Sequence, residues 1–210
     1  MILAAGGSTR LGQPKQLVPF RGRSLLRHAA ETALGCVCRP VVVVLGALAD
    51  RLEGELSGLA VAVATNRQWQ EGLGSSIRAG LNALAPGTGG PEAVVIMLCD
   101  QPMITARFLD QLVRVHQSSG RGIVAAEYGG GAGVPALFSR AYYAELAALR
   151  GSLGAKPIIV KHAKDSVRIP LPEAAFDLDH PEDFARLGSF SGATSPGAKG
   201  DAPKGKKGGK

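Results

Sequence analysis

Residues 93–99, Ala-Val-Val-Ile-Met-Leu-Cys, form the most apolar run of the chain, and it ends on a carboxylate, Asp100. Seven apolar side chains in succession fit a strand covered on both faces, since a half-exposed strand would alternate with polar residues. The β-branched run at 41–45 reads the same way, and 60–64 reads as a further strand. Between these runs lie helical patterns. Ser24 can cap a helix through Leu34, with Leu25, Leu26, Ala29, Ala30 and Ala33 on one stripe and Gly35 ending it. Residues 49–57 suggest a short helix, and another begins near Ser75 and runs to 84. Strand and helix in alternation predict a single three-layer α/β/α domain on a mostly parallel, Rossmann-like sheet. The strand at 93–99 belongs at its centre. Open sheets of this kind take ligands at the carboxyl ends of their strands, where Asp100 stands.

The first strand, residues 2–5, breaks into Gly6, Gly7 and Ser8. Small residues there leave backbone N–H groups uncovered, and a concave set of such groups binds an anion. Arg10 and Lys15 add two cations to the same loop, so the simplest ligand is a polyphosphate. The loop is not a P-loop, because Gly7 and Gly12 are followed by Gln13 and Pro14 where Lys and Ser/Thr are required. It is not the dinucleotide fingerprint either, since Pro14 argues for continued loop rather than an opening helix.

What the loop does contain is LAAGxSxRxGxxK, read as Leu3, Ala4, Ala5, Gly6, Ser8, Arg10, Gly12 and Lys15. Eight matched positions in thirteen resemble the signature of the MobA-like nucleotidyltransferases, and the Ala-Ala-Gly form is most similar to the molybdenum cofactor cytidylyltransferase branch. The resemblance extends over residues 1–188 and implies the nucleotide-diphospho-sugar transferase fold. It also implies an ionised acceptor phosphate attacking the α-phosphorus of a nucleoside triphosphate, with release of pyrophosphate. Such a nucleophile needs no strong base, so the residues' work is positioning and charge neutralisation.

Carried onto this sequence, the resemblance makes Lys15, Arg10 and Asp100 catalytic. It gives the nucleotide to Ala4, Ala5, Gly6, Gly7, Ser8, Arg10, Lys15, Asn66, Ser75 and Ser76, and the acceptor to Gln101, Gly133 and Pro135. Mg²⁺ is expected on Asp100 and Asp179 as cofactor. The expected substrates are CTP and molybdenum-bound molybdopterin, which implies a molybdoenzyme or its maturation chaperone as partner. GTP or a sugar phosphate are the alternatives within the class. Two positions depart from the pattern: Val134 stands where many members have His, and Ser152 where Asp is common. Relatives usually carry several residues before LAAG, which leaves open where the native chain starts.

The formal charge of +7 would suggest a nucleic-acid binder, but residues 189–210 hold five lysines against Asp201. That leaves +4 in the tail and only +3 in residues 1–188. The tail is rich in Gly, Ser, Pro and Lys, lacks the apolar residues that repay ordering, and is read as disordered. No nucleic acid is expected as partner. No apolar run reaches 18 residues and no signal segment precedes the first strand, so a cytoplasmic protein without membrane association is expected. Cys36, Cys38 and Cys99 lack metal-site spacing and are read as idle thiols. The rival classes are a nucleotide sensor without turnover and a redox protein of doubly wound fold; the failed dinucleotide fingerprint argues against the second.

Overall fold

The computed structural model describes residues 1–8, 12–84 and 90–175. Expectations for Arg10, for Asp179 and its 176–183 segment, and for the 189–210 tail fall outside them. β1 (Ile2–Ala4) is followed by a small hairpin, β2 (Pro19–Phe20) with β3 (Arg23–Ser24), and then α1 (Leu25–Leu34). The chain continues through β4 (Val42–Leu45), α2 (Ala49–Glu53), β5 (Ala62–Thr65), α3 (Leu73–Leu84) and β6 (Ala93–Leu98). After α4 (Ala106–Ser119) come β7 (Ile123–Tyr128), β8 (Gly131–Ser139), α5 (Tyr143–Ala148), α6 (Lys156–Lys161) and β9 (Ser166–Pro170).

Seven strands form one sheet in the order β5-β4-β1-β6-β8-β7-β9, with β6 in the middle as its apolarity requires. Every strand but β8 points the same way, because only the β6–β8 and β7–β8 pairs are antiparallel. Gly129 and Gly130, both at positive φ, form the tight turn that reverses β8.

Successive strand residues serve opposite faces. Ile2, Val43, Val95 and Met97 join Leu26, Ala30, Leu109 and Leu112 of α1 and α4 in one core. Leu3, Val42, Val44, Val94 and Ile96 join Ile77 and Leu81 of α3 and Leu146 of α5 in the other. Two covered faces explain why the strands read as unbroken apolar runs. Helix starts follow their caps: Ser24 Oγ accepts from Arg27 N, and Thr105 Oγ1 from Phe108 N, so Asp100 is not the cap of α4.

One boundary differs from expectation. α3 begins at Leu73, before Ser75, so Ser75 and Ser76 lie in its first turn and do not cap it. The cause is a long-range backbone contact at Gly72, where φ is 110° and a Cβ would meet Gly151 O at 2.4 Å. Gly74 N donates to the same Gly151 carbonyl at 3.2 Å, which fixes the helix start.

Candidate nucleotide site

The site assembles at the carboxyl ends of β1, β4, β5 and β6. Leaving β1, the chain passes Ala5, whose carbonyl accepts from Ala47 N at 3.1 Å, and enters the glycines. A Cβ on Gly46 would fall 2.6 Å from Ala5 O, so the end of β4 can approach β1 only without a side chain. Gly6 is different: a Cβ there would meet no protein atom within 4 Å. Among the described residues nothing crowds that point, and Gly6 lines a cavity. Gly7 faces the indole of Trp69, 3.2 Å from where its Cβ would be. Trp69 is therefore a wall packed on the loop.

The loop returns through Ser8, at φ 52°, to Lys15 and Gln16. Ser8 Oγ accepts from Lys15 N at 3.0 Å and donates to Gln16 Oε1 at 3.2 Å. Gln16, 1% exposed, donates its amide to Ala4 O at 2.9 Å and to Gly6 O at 2.7 Å. Sequence reasoning missed this residue, because an amide aimed at backbone carbonyls leaves no residue-type pattern.

A cavity of about 310 Å³ opens here, walled by Leu3, Ala4, Ala5 and Gly6 on one side and Leu73, Ser76, Leu98 and Asp100 on the other. Lys15 and Gln16 close it. Lys15 Nζ pairs with Asp100 Oδ2. Asp100 is buried, and its other oxygen, Oδ1, has no hydrogen-bond partner among the described residues. A buried carboxylate oxygen left without a donor is costly, and its natural complement is a cation. Cys99 also lines the cavity, but burial, followed by the Asp100 charge, pushes its thiol up to about 12, so it stays protonated and inert at neutral pH.

The remaining predicted residues fall into two groups. Asn66 Nδ2 donates to Ser75 Oγ at 2.8 Å and to Ser76 Oγ at 3.1 Å, while its Oδ1 accepts from Gln68 N at 2.9 Å. The three are thus brought together as expected, but Ser75 Oγ bonds onward to the Gln68 and Gly72 carbonyls and serves the protein itself. Of the three, Ser76 lines the cavity. Around Asp100, Gln101 donates to Val134 O at 3.3 Å and Ala174 O at 3.2 Å, and Tyr128 donates to Val134 O at 2.8 Å. Val134 and Pro135 bulge from β8 between Gly133, opposite Ala126, and Ala136, opposite Ala125. Gln101, Gly133 and Pro135 therefore sit together, with the Gln101 amide nitrogen tying the bulge to Ala174 and its buried Oε1 without a partner among the described residues.

A doubly wound, mostly parallel sheet with a glycine loop after β1 and a buried acidic residue after the central strand, both lining one cavity, defines the α/β class of the protein. Residues 1–167 match the family of the MobA-like NTP transferase domain, and the chain belongs to it. The nicotine blue oxidoreductase of Paenarthrobacter nicotinovorans is 36% identical over 118 residues, which is 56% of this chain and 56% of that protein. The chain thus aligns with about half the length of that relative. Among solved structures, Rv0371c of Mycobacterium tuberculosis superimposes with a TM-score of 0.73 at 29% identity, covering 89% of this chain and 94% of that one. Rv0371c in complex with manganese gives a TM-score of 0.69 at 27% identity over 89% and 94%. No helix among the described residues is long and apolar enough to cross a membrane.

Proposed function

We propose that this protein is a divalent-metal-dependent nucleotidyltransferase that moves CMP from CTP to a phosphorylated acceptor, molybdenum-bound molybdopterin. The observation that carries the reading is buried Asp100, with one carboxylate oxygen orphaned among the described residues, lining the same cavity as Ala4, Ala5, Gly6 and Lys15. In this reading the backbone of Gly6 and Gly7 with Lys15 holds the triphosphate, and Gln101, Gly133 and Pro135 border the acceptor. Arg10 and Asp179 keep the roles the family resemblance gives them. Among the described residues no three His, Cys, Asp or Glu side chains converge on one point. A metal would rest on Asp100, with Asp179 and the nucleotide's own oxygens, and it would supply charge neutralisation at the α-phosphate and the leaving group. Mg²⁺ is the proposed ion, and the manganese complex of Rv0371c supports a divalent one. The choice of CTP rests on Ala4-Ala5.

The test is pyrophosphate release with Mg²⁺ and each of the four nucleoside triphosphates, with and without molybdenum-bound molybdopterin. Release with CTP only when the pterin is present supports both halves; release with GTP overturns the base alone. No release with any nucleotide that nonetheless binds would point to another acceptor or to a sensor. A second reading follows from the relative named nicotine blue oxidoreductase: a redox reaction on the same scaffold. Substrate-dependent oxidation of a reduced nicotinamide nucleotide, without pyrophosphate release, would favour it.

A further inference from the structure

We infer that Gln16 is the positioning residue that sets the polarity of the anion loop, holding its carbonyl oxygens back from a bound triphosphate. The inference rests on the nucleotidyltransferase reading and deepens it. Two carbonyls, of Ala4 and Gly6, lie within the stretch that would wrap the phosphates, and a carbonyl oxygen turned toward a phosphate repels it. Both accept from the one amide nitrogen of Gln16, at 2.9 and 2.7 Å. Neither of the peptide bonds that follow them is cis. In a trans peptide the N–H of the next residue points opposite to the carbonyl. Fixing Gly6 O on Gln16 therefore turns Gly7 N–H outward, and fixing Ala4 O does the same for Ala5.

Gln16 has no other use for its side chain. Both amide protons go to the loop, its oxygen takes the Ser8 hydroxyl, and it is 1% exposed. An apolar residue of that size would fill the volume, but the two carbonyls would lose their donor and be driven to turn toward the solvent of the cavity. Ser8 extends the clamp to the neighbouring cation, since the same hydroxyl accepts from Lys15 N at 3.0 Å. One buried amide thus couples the backbone half of the anion site to the lysine half. Among the described residues a Cβ on Gly6 would meet nothing and Ser8 sits at positive φ, so the Gly6 peptide plane is held by the Gln16 amide.

The experiment compares wild type with Gln16→Met, which keeps length and volume and removes every hydrogen bond. Binding of inorganic tripolyphosphate, CTP and cytidine is followed by fluorescence of Trp69, the chain's one tryptophan, which packs on Gly7. The expected result is tripolyphosphate and CTP weakened roughly tenfold or more, cytidine within about twofold, and KM for CTP raised more than kcat is lowered. A merely structural role would lower the melting temperature and weaken all three ligands alike, which overturns the inference, as does unchanged tripolyphosphate affinity. Should Gln16→Met not fold, Gln16→Glu carries the same prediction, since a carboxylate cannot donate to both carbonyls. Wild type that binds neither tripolyphosphate nor any nucleotide would instead sink the nucleotidyltransferase reading itself.

Discussion

Two aspartates stand at opposite ends of the same sheet, and they are treated in opposite ways. Asp165 lies at the amino end, just before β9, with Oδ2 accepting from Tyr142 Oη at 2.5 Å and Oδ1 from Gly122 N at 3.2 Å. Asp100 lies at the carboxyl end, more deeply buried, with Lys15 on one oxygen and nothing among the described residues on the other. A carboxylate kept for stability has both oxygens satisfied and water within reach. In the proposed function the incomplete carboxylate of Asp100 is the one that a ligand completes. Open sheets gather such residues at the carboxyl ends because there the strands hand over to loops that need not pack.

The largest effect expected from breaking this contrast is in Asp100→Asn. The proposed function gives that variant a turnover lower by roughly a hundredfold or more, as for the loss of one preorganised electrostatic contact. Its melting temperature should stay close to wild type, because Lys15 borders the cavity and can be solvated there. Steady-state pyrophosphate release with a melting curve on the same sample checks both halves. Near-normal turnover would take the metal role from Asp100.

Next in size is Lys15→Met, which separates the two partners of the ion pair. Triphosphate affinity should fall about tenfold, with the loss of a cation that meets the phosphates. Mn²⁺ affinity without nucleotide should rise severalfold, since Lys15 and a metal compete for one carboxylate and the buried charge loses its resident cation. Mn²⁺ binding followed by electron paramagnetic resonance reads this directly. Unchanged Mn²⁺ affinity would mean that Asp100 does not receive the ion.

The same contrast explains what the sequence made legible. Runs such as 41–45 and 93–99 declare strands covered on both faces, and Asp100 is marked by following the most apolar of them. The Gly6-Gly7 loop with Lys15 is readable because anion binding uses small residues and cations in a local stretch. Long-range polar bonds are another matter. The start of α3 is set by the Gly151 carbonyl, and the Gln101 amide by carbonyls of Val134 and Ala174, none of them neighbours in sequence. Gln16 escaped although it lies beside Lys15, because its amide nitrogen donates to backbone carbonyls, which every residue possesses. The family resemblance gives Ser75 to the nucleotide, and its bonds to the Gln68 and Gly72 carbonyls are again ones that residue type does not announce.

The smallest effect belongs to the satisfied end. Asp165→Asn weakens the Tyr142 bond and should lower the melting temperature by roughly 3–6 °C, from a charged hydrogen bond worth about 1.5 kcal/mol in a chain of this size. Turnover well below that temperature should not move, since the residue lies at the far end of the strands from the cavity. The pH dependence follows from the direction of its ionisation: the Tyr142 hydroxyl, with smaller help from the Gly122 N–H, holds the Asp165 carboxyl below its ordinary value. A folded-state pKa below the unfolded one stabilises at pH above the unfolded value and loses that contribution as pH falls through the folded one. The melting-temperature gap between wild type and Asp165→Asn should therefore be constant from about pH 6 to 8 and close below about pH 4. A gap that persists undiminished into acid would assign the stabilisation to the neutral hydrogen bond, and Asp165 would then owe nothing to its charge.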